Sequence, residues 1–292
     1  MNYSLELIRF IAVVLITFTH TRHNFSEGPA YYILEVLPTY GTLILSVVSG
    51  YLFCKHSLHK EDFFQRKVQS LLYPFLIANT LVLIPVLLLH SFGYNILNRI
   101  PYDYRLIQEG VFSLNVAPIN PPTYFIRDLF VVFAIIELIV RKNYKMLILL
   151  IPLLVFGKLM LRYEILLLFS IGASYAYFEK IINKRKILIC LLLITALSFC
   201  FSSGFTKYFI SLLLFLLLID LPVRFFDVGG YTYLLHLYHA PIIIIILPVL
   251  TSTVENDNIK VLLQISASLV VTFLLYLLTR KFVRLKIISG GR

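Results

Sequence analysis

The sequence predicts an all-α, polytopic membrane protein: one domain over residues 1–292, a bundle of about ten transmembrane helices with both termini cytoplasmic. Three observations predict it. Hydrophobic residues make up 59% of the chain and charged residues 14%, against roughly half and a quarter in a soluble domain. Long apolar runs recur from end to end, with no repeat, low-complexity tract or linker, and mean hydropathy is +0.87. The Lys and Arg behind the net charge of +11 fall in short clusters between those runs. That is the positive-inside pattern of a membrane protein and not the basic face of a nucleic-acid-binding one.

The runs fall at 5–21, 39–54, 71–91, 123–140, 146–161, 165–180, 187–201, 208–221, 231–250 and 261–279. The first is expected to stay as a helix, because no Lys or Arg precedes Arg9 and Thr21-Arg22-His23 is a poor cleavage sequence. Runs shorter than about 20 residues must borrow flanking residues or cross a locally thinned bilayer. Between the third and fourth runs lies one sizeable loop, 92–122, interrupted by Pro101, Pro118, Pro121 and Pro122. Its Tyr94, Tyr102, Tyr104, Arg99, Arg105, Asp103 and Glu109 suit either sugar binding or a solvated loop with interfacial tyrosines. Cys54, Cys190 and Cys200 lie in or beside apolar runs and read as small core residues, not as disulfide or metal ligands.

Basic residues set the orientation. The set comprising residues 55–67, 141–145, 180–186, Arg224 and the C-terminal tail from Arg280 to Arg292 holds 17 of the 26. The alternate loops hold 7, namely Arg22, Arg99, Arg105, Lys158, Arg162, Lys207 and Lys260, while Arg9 and Arg127 lie inside runs. The richer set belongs in the cytoplasm.

Ionisable groups inside spans cost about 2.5–3.5 kcal/mol each on insertion scales, so they are the functional candidates. The first helix carries Glu6, Arg9 and His20. Eleven helical steps make about 1100°, three turns plus about 20°, which places His20 on the stripe of Arg9 and about 16 Å further outward. The fourth run opens Tyr124-Phe125-Ile126-Arg127-Asp128-Leu129. Sequence neighbours on a helix do not face each other, so Arg127 and Asp128 are each expected to need a partner elsewhere. The ninth run contains His236, Tyr238 and His239, and its Pro241 frees a carbonyl one turn back. Glu137, Lys158, Glu164, Glu179 and Asp220 lie near run ends, where snorkelling accounts for them. No glycine-rich phosphate loop, zinc spacing, nucleophile elbow or heme motif occurs.

Together these residues resemble the acyltransferase-3 family of bacterial membrane O-acyltransferases. The likeness rests on Leu7-Ile8-Arg9-Phe10-Ile11-Ala12 followed by His20, on Ser49-Gly50-Tyr51-Leu52-Phe53, on Phe63-Phe64 with Arg66-Lys67 leading to Pro74-Phe75, on residues 124–129, and on Tyr238-His239-Ala240-Pro241. The matches run in order from residue 5 to about 242. Two departures stand out: Ser70 where the basic stretch commonly ends in a further Arg or Lys, and Tyr124 for a usual Trp in a chain with no Trp.

The resemblance implies transfer of an acyl group, most often acetyl, from acetyl-CoA or another acyl-CoA to a carbohydrate hydroxyl at the bacterial plasma (inner) membrane. It implies a co-substrate and no permanently bound cofactor, no metal and no nucleic acid. The partners are the lipid bilayer, acyl-CoA and a cell-surface or lipid-linked carbohydrate. Carried onto this chain, it makes His20 the general base, Arg9 or Arg127 the oxyanion donor, and Asp128 or Glu6 the partner of the imidazole or the arginine. Arg66 and Lys67 would grip coenzyme phosphates, and His239 and Tyr124 would meet the acceptor. The competing expectation is a transporter or exporter of a glycan precursor or small metabolite. Against it stands the lack of inverted-repeat symmetry or of paired Gly/Pro-broken helices. A structural membrane subunit would leave the His, Arg and Asp set unexplained.

Overall fold

The computed structural model describes residues 2–201 and 204–291; Arg292, counted above for orientation, lies outside them. Its ordered elements are helices, with no strand among the described residues. Every apolar run contains an α-helix: α1 Tyr3–Phe18, α2 Thr39–His56, α3 Tyr73–Ser91, α4 Tyr124–Arg141, α5 Leu147–Val155, α6 Glu164–Phe178, α7 Lys184–Cys200, α8 Thr206–Leu218, α9 Gly229–Thr253 and α10 Asp257–Lys281. Among the described residues, four segments are long and apolar enough to cross a bilayer: Gly28–His56, Phe63–Ser91, Gly229–Thr253 and Asp257–Lys281. The run 146–161 does not make one helix. α5 has nine residues and ends after Val155, and 157–161 is irregular backbone.

The burial pattern is that of a protein in lipid. Along α10 the polar Gln264, Ser268, Thr272 and Thr279 are wholly buried, while Leu262, Val270 and Leu274 are exposed. Hydrocarbon solvates the apolar face, and the polar side chains turn inward, away from lipid.

The chain divides into two interleaved compact units, Met1–Glu61 with Glu164–Thr232, and Asp62–Tyr163 with Tyr233–Arg292. In the first unit, α2 and α6 meet through glycines. A Cβ on Gly50 would lie 1.9 Å from the Phe169 carbonyl oxygen, and one on Gly172 would lie 2.1 Å from that of Val47. Two main chains in lipid approach this closely only where no side chain intervenes. Around the glycines pack Leu43, Val47, Tyr51, Leu168, Ala176 and Phe215. One end of the unit is polar: Tyr51 donates to Glu179 at 3.1 Å, Glu179 also pairs with Lys55, and Lys184 pairs with Asp220. Gly172→Ala is expected to cost about 1–3 kcal/mol by overpacking. Gly204→Ala, with nothing within 4 Å of its added Cβ, is the matched silent change. Thermal unfolding in detergent compares the two.

In the second unit, the loop 92–122 is a packed structure. Ile100, Leu106, Val111 and Ile119 form a core with Leu83 and Val86 of α3. Buried Glu109 accepts the amides of Asn115 at 2.7 Å and Val116 at 3.1 Å, and Arg99 donates to the carbonyls of Ala117 and Pro118. These two charges hold the loop together through its own main chain. Asp103 and Arg105 pair with each other at 2.7 Å. Tyr94 and Tyr104 remain exposed.

Candidate functional site

α1 stops two residues short of His20, and threonines stop it. The Thr19 hydroxyl donates to the Ile16 carbonyl at 2.8 Å, the acceptor that the His20 amide would use in a continuing helix. The His20 amide bonds Thr17 O at 3.2 Å instead, and both the Thr21 amide and its hydroxyl bond Phe18 O. Side-chain hydroxyls thus tighten and end the last turn. His20 therefore sits half-buried in the turn beyond α1, and the helical stripe drawn through Glu6, Arg9 and His20 ends at Phe18.

At the other end of α1, Arg9 Nη1 donates to Glu6 Oε1 at 2.7 Å. Gly229, at the start of α9, packs on this pair: a Cβ there would lie 3.4 Å from Arg9 Nη1, 3.6 Å from Glu6 Oε2 and 3.7 Å from Asp227 Oδ1. Nine residues separate Arg9 from Phe18, about 14 Å of helix.

A second histidine lies close by and was not singled out in the sequence. His23 Nδ1 accepts the Phe25 amide at 3.3 Å, so a neutral ring carries its proton on Nε2. That nitrogen is 3.4 Å from Glu35 Oε1. Three residues of spacing from His20 and a downstream carboxylate were the available signals.

In the second unit, Arg127 and Asp128 neutralise each other after all, with Nη1 to Oδ1 at 2.6 Å. The short Asp side chain bends along the helix toward a guanidinium that folds back. Arg127 spends its remaining donors on main chain: Nε to Ser113 O at 3.0 Å, Nη1 to Leu159 O at 3.0 Å, and Nη2 to Lys158 O and Leu114 O. All five N–H groups are committed. Asp128, with no exposed surface, accepts the amides of Leu161 at 3.1 Å and Arg162 at 2.7 Å. The pair fastens two irregular segments, 113–114 and 158–162, to the start of α4. No Arg127 donor is left for an oxyanion. Beside it, half-buried Tyr124 lies under the Arg162 guanidinium, 4.9 Å from ring centroid to carbon.

α9 shows where the carbonyl freed by Pro241 goes. Pro241 gives Leu237 O no amide, and Asn120 Nδ2 supplies the missing donor at 2.7 Å. The Asn120 amide donates to Asn79 Oδ1 at 3.2 Å, and Asn79 Nδ2 reaches Thr123 Oγ1 at 3.1 Å. His239, fully enclosed, places Nδ1 2.6 Å from Leu235 O. His236 stands edge-on to Phe125 at 5.6 Å. In this structure His239 joins helix packing and is not open to an entering sugar.

Arg66 and Lys67 end the short helix Phe63–Lys67. Arg66 Nε bonds Asp62 Oδ2 at 2.7 Å on the surface, and the Lys67 ammonium lies 4.3 Å from the Phe133 ring centre. A π-turn, Val68–Leu72, follows. Elsewhere, in the first unit, a cavity of about 370 Å³ is lined by apolar side chains of α2, α6, α7 and α8 with Ser170, Ser174 and Tyr175. It holds no acid–base pair.

A family model described as an acyltransferase domain matches residues 2–280. No curated protein and no solved structure matches the chain.

Proposed function

The chain belongs to the acyltransferase-3 family of membrane acyltransferases, and from that premise we propose that it moves an acyl group, most often acetyl, from acyl-CoA to a hydroxyl of a cell-surface or lipid-linked carbohydrate. The family match over nearly the whole chain is the observation that carries this reading. His20 acts as the base. As the sugar oxygen attacks the thioester carbonyl, the imidazole takes the hydroxyl proton. The tetrahedral oxyanion then collapses, the C–S bond breaks, and the imidazolium returns the proton to the departing thiolate. The products are the O-ester and the free coenzyme thiol, and the histidine ends neutral.

The other candidates divide the remaining work. Arg9, paired with Glu6 on α1, is the remaining candidate for the oxyanion donor. Arg127 and Asp128 fix the segments around the start of α4, where Tyr124 also stands. Arg66 and Lys67 hold coenzyme phosphates at the cytoplasmic end. All ten helices cross the bacterial plasma (inner) membrane, the shorter ones with flanking residues or local thinning. Residues 55–67, 180–186 and the C-terminal tail then lie in the cytoplasm. Mass spectrometry of surface and lipid-linked glycans from cells with and without the gene tests this reading. The expected result is loss of one acyl mass from one glycan, and unchanged acylation of every glycan would leave the transporter reading in its place.

A further inference from the structure

The last residues of the chain fold back onto the segment that follows Arg66 and Lys67. After α10 the 3-10 segment Val283–Ser289 ends at Gly290, whose φ of +67° is left-handed. A Cβ on Gly290 would lie 2.5 Å from Ser70 O and 2.9 Å from Ser70 Cα, so the glycine lies directly on the Ser70 main chain. The turn is closed by Gly291 N to Lys286 O at 2.8 Å and by the hydroxyl of buried Ser289 to Lys286 O at 3.0 Å. Tyr233 holds the same Ser70 carbonyl through its hydroxyl at 2.7 Å. Ser70 lies within the π-turn Val68–Leu72, a distortion found frequently at functional sites.

Charge gives this strap a purpose. Arg66 is already balanced by Asp62. Arg284 and Lys286 are exposed, and among the described residues no ion pair engages either of them. No Asp or Glu follows Asp257 in the chain. Lys67 precedes Ser70 by three residues, roughly 4.5 Å of helix, and the turn ties Lys286 to Gly291, next to Gly290. Long side chains rooted on both sides of the Ser70–Gly290 junction can close on one phosphate.

We propose that the C-terminal strap completes a phosphate-binding cradle, with Arg284 and Lys286 joining Lys67 and Arg66 around the phosphates of the acyl donor. The proposal rests on the acyl-CoA reading above. The test is titration of coenzyme A into the full-length protein in phosphatidylcholine nanodiscs, with the wild type, Arg284→Ala/Lys286→Ala and Gly290→Val. The last variant removes no charge but dislodges the strap. Thermal unfolding confirms that each is folded. Both variants are expected to bind coenzyme A at least about 10-fold more weakly, and the double variant to show a shallower salt dependence. Variants that bind as the wild type does would overturn the cradle and leave the acyl-CoA reading standing. A wild type that binds no coenzyme A would overturn both. A difference seen only when phosphatidylglycerol replaces phosphatidylcholine would overturn the cradle and make the tail a lipid-headgroup anchor.

Discussion

Replacing His20 by alanine is expected to lower acyl transfer about 10²–10⁴-fold, the range for loss of one proton-transfer group. The loss should fall on kcat, with the KM for acyl-CoA unchanged, because a base acts on the transition state alone. The fold should survive. His20 lies beyond the helix, its bond to Thr17 O is made by the main chain, and the turn is closed by the hydroxyls of Thr19 and Thr21, none of which the substitution touches. His23→Ala is the informative companion, since His23 also has an acid beside it. A fully folded His20→Ala enzyme that keeps its rate, beside a His23→Ala enzyme that loses it, would move the base three residues along the chain.

Asp128→Ala is expected to destabilise the protein by about 3–5 kcal/mol, the cost of stranding a buried charge. The Arg127 side chain is 4% exposed and would lose its only carboxylate, while the Leu161 and Arg162 amides would lose their acceptor. Asp128→Asn keeps one acceptor oxygen but gives up the charge, so it should lie between alanine and wild type. Thermal unfolding in detergent ranks the three. Specific activity per folded molecule separates building from chemistry: it should stay within a few-fold in whatever fraction folds. A folded, inactive Asp128→Asn protein would return Asp128 to the chemistry.

The helices were legible because lipid leaves one simple demand, a run of apolar residues whose main chain bonds to itself. What hydropathy could not read was where each helix stops. Thr19 and Thr21 are apolar enough to extend a run but use their hydroxyls to end α1, and Pro152 allows α5 while the chain beyond it is caught by Arg127. The roles of Arg127 and Asp128 were hidden for a related reason. Six of their partner groups are main-chain carbonyls and amides in irregular segments, and a main-chain partner leaves no mark in residue type. The carbonyl freed by Pro241 was visible, but its donor Asn120 lies 117 positions away along the chain. Glu109 and Arg99 looked like surface groups because nothing in the sequence says that the loop around them has a core.

The most direct measurement uses the purified protein in proteoliposomes loaded with radiolabelled acetyl-CoA, followed by extraction of the glycan fraction isolated from the cells that make it. The account predicts label in an alkali-labile glycan ester with the wild type, one free coenzyme thiol for each ester formed, and neither above background with His20→Ala. Contradiction would be the same release of thiol and labelled ester from His20→Ala, or a wild type that moves glycan across the membrane while the thioester stays intact.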